Sequence, residues 1–202
     1  MFSFLWTYSA VAVLVSLPLS TVVAKPVPPI VEWSTCPSNI STSLKCTDIS
    51  VPLDYEDPTS EEVSLKLVKL PAKAEGDRKG AIVWQLGGPG QTTTDLLVNT
   101  ASNVSDVFGE LRNHFDIITA EPRGISFNHA VKCDPSFGQR KPPYFPRSEE
   151  EYHEMTEYFG DMGTSCANLT GKIIHHMDTR TQARDLEKVR LALGPDKLNY
   201  CK

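Results

Sequence analysis

The sequence predicts an α/β fold in which an antiparallel hairpin precedes parallel strands. Residues 46–53 and 63–70 alternate apolar and polar side chains across the turn-forming stretch DYEDPT, which is typical of a hairpin with one covered face. Residues 81–86 and 115–119 are almost continuously apolar, as strands covered on both faces are. A helix start near Asp95 separates these two strands, which indicates a strand–helix–strand crossover and a parallel sheet.

Composition is consistent with one globular domain. The chain has 202 residues, of which 40% are hydrophobic, enough for a core of its own. The net charge of −5 and the absence of a Lys/Arg cluster give no reason to expect a nucleic-acid partner. His175 and His176 are adjacent but have no spaced partner, and the cysteines match no zinc pattern. We therefore expect neither a metal ion nor a cofactor.

The amino-terminal segment indicates secretion. Residues 1–24 carry no charged side chain, are interrupted by Pro18 and end in small residues, which predicts a cleaved signal peptide. An uncleaved membrane anchor is the alternative. If the signal is removed, we expect no stable membrane association. Residues 25–45 form a Pro-rich, Cys-containing entry segment, and residues 46–202 form the α/β domain.

Cysteine content agrees with an oxidising compartment. Cys36 and Cys46 would close a short loop, and Cys133 and Cys166 a longer one. This pairing leaves Cys201 without a partner.

Three N-glycosylation sequons begin at Asn39, Asn103 and Asn168. Together with a signal peptide, they predict glycosylated surface loops.

An excursion and a well-defined helix follow the second parallel strand. Residues 134–177 interrupt the alternation of strands and helices, and their acidic run predicts a solvated helix face. Residues 178–195 predict a helix in which Thr179 and Gln182 form a capping box and Gly194 ends the last turn. Its apolar face is expected to contain Ala183, Leu186, Val189 and Leu193. Another strand is predicted to begin near residue 197.

Residues 87–90 read GGPG directly after a buried strand. Glycines accept positive φ and let a ligand approach the backbone. A phosphate loop would end in Lys-Ser/Thr and a dinucleotide turn would read GxGxxG, and neither pattern is present. A purely structural turn remains possible. The other interpretation is an oxyanion hole, in which backbone N–H groups bind a developing negative oxygen.

Four motifs occur in a fixed order: VPLDYEDP, GGPG, AEPRG and TRTQARDLEKVRLALG. Their order resembles the secreted tripeptidyl-aminopeptidase and prolyl-iminopeptidase-like branch of the α/β-hydrolases, the serine peptidase family S33, over roughly residues 33–200. The resemblance implies an α/β-hydrolase fold, a peptide substrate and an acyl-enzyme route without a cofactor. Two residues depart from the family pattern: Gln85 replaces a His before the glycines, and Glu121 replaces an Asp.

The resemblance also implies roles for individual residues. Gly88 is expected to donate one oxyanion N–H, while Pro89 has no N–H to give. Glu121 and Arg123 are expected to form a charged network that shapes the turn after the fourth strand, with a structural rather than a chemical role. The other candidates for oxyanion donors are Gly87, Gly90 and Gln91.

The sequence contains no evident nucleophile. The family's G-x-S-x-G motif should begin near position 202, where Lys202 stands, and Ser126 lacks the second glycine because Asn128 follows. The histidines all precede that position. The sequence therefore predicts the N-terminal portion of a longer hydrolase, truncated after the fifth strand and inactive by itself. The alternatives are a non-catalytic secreted binding module or pseudoenzyme, and an ester or amide hydrolase of the same fold.

Overall fold

A computed structural model describes residues 31–201 except positions 89, 104–105, 126–128, 140 and 195–196. The predicted signal peptide at residues 1–24 therefore lies outside the described residues, as do Ser126 and Lys202. Among the described helices, none combines the length and the apolar character needed to span a bilayer.

The described part of the chain contains one mixed sheet. Its strands are β1 (Ser34–Thr35), β2 (Lys45–Pro52), β3 (Glu62–Leu70), β4 (Gly80–Trp84), β5 (Phe115–Ala120) and β6 (Tyr200–Cys201). Their order is β1-β2-β3-β5-β4-β6. The pairs β1–β2, β2–β3 and β3–β5 are antiparallel, whereas β4 pairs in parallel with both β5 and β6. The predicted hairpin and the predicted parallel strands are both confirmed.

The described helices are α1 (Thr94–Ala101), α2 (Leu111–His114), α3 (Glu149–Thr170) and α4 (Thr179–Leu193). Of these, α1 and α4 pack on opposite faces of the sheet. Short 3₁₀ helices lie at Glu75–Asp77, Pro135–Gly138 and Lys172–His176. Val83 and Ile118 pack on the face with α4, while Ile82 and Ile117 pack on the face with α1. Side chains on successive strand positions point to opposite faces, so the central strands are apolar on both sides.

The excursion is tied to the domain at its base. A disulfide joins Cys133 to Cys166, and the Thr170 hydroxyl bonds both the N–H and the C=O of Lys132, at 2.9 and 3.0 Å. Within α3 only Cys166 is buried, so the acidic run lies on a solvated helix as predicted. Asn168 is exposed on this helix, and not in the loop that its sequon suggested.

The remaining cysteines also follow the predicted pairing. A second disulfide joins Cys36 to Cys46, and Cys201 is a partly exposed free thiol.

Helix α4 begins differently from the prediction. Asp178, and not Thr179, is the N-cap, because its carboxylate accepts hydrogen bonds from the backbone N–H groups of Arg180 and Thr181, at 2.9 and 3.1 Å. The side chain of Gln182 instead donates to the carbonyl of Met177 at 2.9 Å.

The other features of α4 were predicted in part. Gly194 ends the helix with φ +143°, as expected. Ala183 is exposed, whereas Asp185 is one of the three buried residues of the helix, with Thr181 and Val189.

A buried ion pair explains the position of Asp185. The Arg123 guanidinium, 1% exposed, donates to both Asp185 carboxylate oxygens at 2.7 and 2.6 Å. It also donates to the carbonyls of Leu53 and Pro52 at 2.7 and 2.9 Å, and to that of His176 at 3.3 Å. The charge can be buried because its N–H groups are paired in this way. Arg123 thus joins the end of β2, the turn after β5 and α4.

Tyr55 completes this cluster. Its hydroxyl donates to Asp185 at 2.8 Å, and the guanidinium carbons of Arg123 and Arg184 lie 5.8 and 5.5 Å from its ring centre. Burial and the hydrogen bond to Asp185 raise the pKa of the Tyr55 phenol above its ordinary value.

Replacing Asp185 should destabilise the fold strongly. Asp185→Ala leaves the buried Arg123 charge without its carboxylate, and we expect a loss of about 3–5 kcal/mol in the free energy of unfolding, measured with urea. Glu187→Ala is the matched control on the same helix, because Glu187 pairs with Arg190 at the surface. A similar small effect of both variants would contradict the role of the pair.

In an alkaline titration followed by phenolate absorbance, Tyr55 should ionise above the ordinary range of a tyrosine phenol, because burial and Asp185 raise its pKa. Because its pKa is raised on folding, its contribution to stability is present below about pH 10, the unfolded value, and is lost as pH rises through the higher folded pKa. Tyr55→Phe should remove the late-titrating phenol. A late phenol that persists in this variant would refute the assignment.

Candidate active site

The glycine turn adopts the backbone conformation that its sequence suggested. Gly88 has φ +86° and Gly90 has φ +82°, a region that side chains with a Cβ rarely adopt. Gly87, Gly88, Gly90 and Gln91 are all exposed. The Gln91 side chain folds towards the turn, with its oxygen 3.7 Å from where a Cβ on Gly88 would lie. Exposed amides in such a turn can bind an anionic oxygen.

A cleft of about 770 Å³ lies beside this turn. Gly87, Gly88 and Gly90 after β4 are exposed at its rim, and the segment 121–124 after β5 and Tyr200 of β6 also line it. Crevices at the carboxyl ends of parallel strands are where α/β sheets usually bind ligands. The turn therefore opens towards a ligand-sized space and not into packed protein.

Much of the remaining cleft lining is apolar. It includes Leu65, Ala120, Met177, Ala183, Leu186 and Val189. The Tyr200 hydroxyl approaches the Gln85 side-chain oxygen at 3.5 Å, and the backbone N–H of Gln85 donates to the Cys201 carbonyl at 3.0 Å. Gln85 thus helps to join β4 to β6.

Glu121 and Arg123 are both buried at this edge, but they do not form one network with each other as predicted. Arg123 pairs with Asp185, while Glu121 accepts hydrogen bonds from Thr94, from its backbone N–H at 2.7 Å and its hydroxyl at 2.5 Å. Both residues follow the end of β5, and their side chains reach separate partners. The expected structural role is retained, divided between two sets of contacts.

Gly124 also lies in this turn for a geometric reason. It has φ +84°, and a Cβ there would lie 2.2 Å from the terminal methyl carbon of Met177. Close packing against Met177 and positive φ both favour glycine at this position.

The described residues that line the cleft include no serine, cysteine or histidine. His114 binds Asp77 at 2.8 Å, and His153 lies near Glu149 on the excursion helix. Within the described part of the chain, no group of three or more His, Cys, Asp or Glu side chains is arranged to hold a metal ion. Among the described residues, the cleft therefore presents an exposed glycine turn but no pair of nucleophile and base.

Comparison with known proteins gives consistent similarities, although no family model matches the chain. Over 176 residues it is 27% identical to tripeptidyl aminopeptidase of Streptomyces lividans, covering 84% of this chain and 33% of that protein. Over 180 residues it is 28% identical to serine protease Hip1 of Mycobacterium tuberculosis, covering 84% and 34%. Over 171 residues it is 30% identical to carboxylesterase B of the same organism, covering 80% and 32%.

This chain is similar to serine hydrolases. It spans about a third of the length of the curated relatives it matches. The names of these relatives include peptidases and an esterase, so they support the serine hydrolase class without selecting one substrate class.

Sequence reasoning missed Asp185, Tyr55 and Thr94. One signal for Asp185 was available, because Asp185 lies four residues after Thr181 and four before Val189, and all three are buried on α4. A charged residue at this spacing on an inner helix face needs a buried partner. Nothing in the local pattern identified Thr94 as the partner of Glu121, because the two residues meet only through tertiary structure.

Gly88→Ala should destabilise the turn by about 1–2 kcal/mol, because an L-residue is unfavourable at positive φ. Gly163→Ala on the exposed helix α3 is the control; it should be neutral or stabilising, because alanine favours helix formation. Urea unfolding of both variants measures the difference. Equal stability of the Gly88 variant and the unmodified chain would contradict the observed turn geometry.

Proposed function

We propose that this chain is the N-terminal portion of a secreted serine hydrolase and that residues 87–91 supply its oxyanion hole. The observation that carries the proposal is the glycine turn with positive φ at Gly88 and Gly90, exposed on the rim of a cleft at the carboxyl ends of β4, β5 and β6. Similarity to serine hydrolases over most of this chain supports the same conclusion.

In the proposed reaction, the hydroxyl oxygen of a serine outside the described residues attacks a substrate carbonyl carbon. The carbonyl oxygen becomes negative, and the backbone N–H of Gly88 donates a hydrogen bond to it, with Gly87, Gly90 or Gln91 as the further donor. Donors fixed before the reaction stabilise this charge without reorganising. The proton that the serine hydroxyl gives up passes to the leaving amine or alcohol, which departs as the acyl-enzyme forms, and water then hydrolyses the acyl-enzyme.

The proposed substrate is a peptide from which N-terminal residues are released. The motif order that resembles the S33 peptidases supports this choice, as does a tripeptidyl aminopeptidase among the relatives. An ester substrate is the second candidate, because carboxylesterase B is similar over 80% of this chain. The fold accommodates both chemistries.

Secretion is part of the proposal. Residues 1–24 have the composition of a signal peptide, and two disulfides form in the described domain. Disulfides persist in oxidising compartments. Asn39, Asn103 and Asn168 are exposed, as acceptors of glycans must be.

A fluorophosphonate that modifies activated serines tests the proposal. The 202-residue chain should remain unlabelled, whereas a protein continuing beyond residue 202 into a G-x-S-x-G segment should be labelled. In that longer protein, a tripeptidyl naphthylamide should be hydrolysed, and Gly88→Ala should lower kcat by about 10²–10³ through misplacement of one donor. Gly163→Ala should leave kcat unchanged.

Each contrary result has a defined meaning. Turnover of simple esters without naphthylamide turnover would replace the peptidase proposal with the esterase one. Absence of labelling in the longer protein would favour a non-catalytic binding module.

A further inference from the structure

The base of the glycine turn is held by two buried threonines. Thr93 and Thr94 are each 1% exposed. The N–H of Leu86, at the end of β4, approaches the Thr93 hydroxyl oxygen at 3.4 Å, which closes the loop of residues 87–92 at its base. The apex at Gly88 is exposed. The position of the apex in the cleft therefore depends on what fixes these threonines.

Glu121, the residue directly after β5, holds Thr94 in place. One carboxylate oxygen of Glu121 accepts both the N–H and the hydroxyl of Thr94, at 2.7 and 2.5 Å. Thr94 is the first residue of α1, so the carboxylate also lies at the positive end of the helix dipole.

The second carboxylate oxygen of Glu121 provides separate evidence that this side chain has a specific role. It is buried and has no hydrogen-bond partner among the described residues, and Glu121 as a whole is 0% exposed. A buried polar atom without a partner destabilises a fold. General stability therefore does not account for an acid at this position, whereas the two hydrogen bonds to Thr94 give it a specific geometric task.

We propose that Glu121 is a positioning residue that sets the glycine turn at the mouth of the cleft. It acts through Thr94 and the adjacent Thr93, and it does not itself contact the substrate. The contacts join β5 to the segment immediately after the turn, so a change at Glu121 moves the donors relative to the strand ends. The functional meaning of this positioning rests on the proposed oxyanion hole, but the mechanical link does not.

Hydrogen–deuterium exchange on the 202-residue chain tests the link. Thr94→Val removes the hydroxyl donor, and Glu121→Met removes the acceptor at similar length. Both should raise amide exchange in residues 86–92 by about fivefold to tenfold, with little change in β2 and β3. Thr119→Val is the matched control, because the Thr119 hydroxyl is buried on β5 without a partner among the described residues.

Conservative variants separate positioning from general destabilisation. Thr94→Ser keeps the hydroxyl and should restore the exchange rate of the turn. Glu121→Gln keeps an acceptor oxygen and should raise exchange less than Glu121→Met. If Thr94→Val or Glu121→Met does not fold, the other two variants are compared with Thr119→Val. Exchange in the turn should then be faster in Glu121→Gln and equal in Thr94→Ser, and unchanged exchange in Glu121→Gln would overturn the link.

Kinetics of the longer hydrolase provide the second readout. Thr94→Val should lower kcat with little change in KM, because the donors act mainly in the transition state, whereas Thr119→Val should change neither. Unchanged exchange in the turn of Thr94→Val and Glu121→Met would overturn the link. An equal rise throughout the sheet would also overturn it. Faster exchange in the turn without hydrolase activity in the longer protein would leave the link intact and refute the proposed function instead.

Discussion

The buried pair between Arg123 and Asp185 is the interaction on which the rest of the domain depends. The guanidinium also binds backbone carbonyls at the end of β2 and at the last residue of the 3₁₀ helix Lys172–His176. Segments that are more than fifty positions apart in sequence therefore meet at one side chain. Because both side chains are buried, the attraction is strong and the penalty for a missing partner is large.

This cluster gives a physical reason for the spacing of the four sequence motifs. VPLDYEDP contributes carbonyls and Tyr55, AEPRG contributes Arg123, and the α4 motif contributes Asp185. The fourth motif, GGPG, connects to the same turn through Thr94 and Glu121. One short turn after β5 thus contacts α4 on one side of the sheet and the start of α1, which follows the glycine turn, on the other. The cleft lies where these two sets of contacts meet.

The fold followed from local patterns more fully than the site did. Alternating and continuous apolar runs predicted the strands, because successive side chains of a strand point to opposite faces of the sheet. A strand covered on one face therefore alternates, and one covered on both faces is apolar throughout. The predicted cap of α4 was wrong by one residue, since Asp178 competes with Thr179 and its carboxylate bonds two N–H groups. The partners of Arg123 and Glu121 could not be predicted, because hydrogen bonds between distant segments leave no period in the sequence. The glycines were informative because positive φ restricts residue type directly.

The closed base of the excursion has a consequence for how such a domain can vary. The chain leaves the body near Cys133 and returns near Cys166 and Thr170, at the same place. Whatever lies between these points adds no displacement to the strands on either side. Evolution can therefore lengthen, shorten or replace this appendage while the register of β5 and β6 stays fixed. New surface chemistry can be acquired there without rebuilding the core.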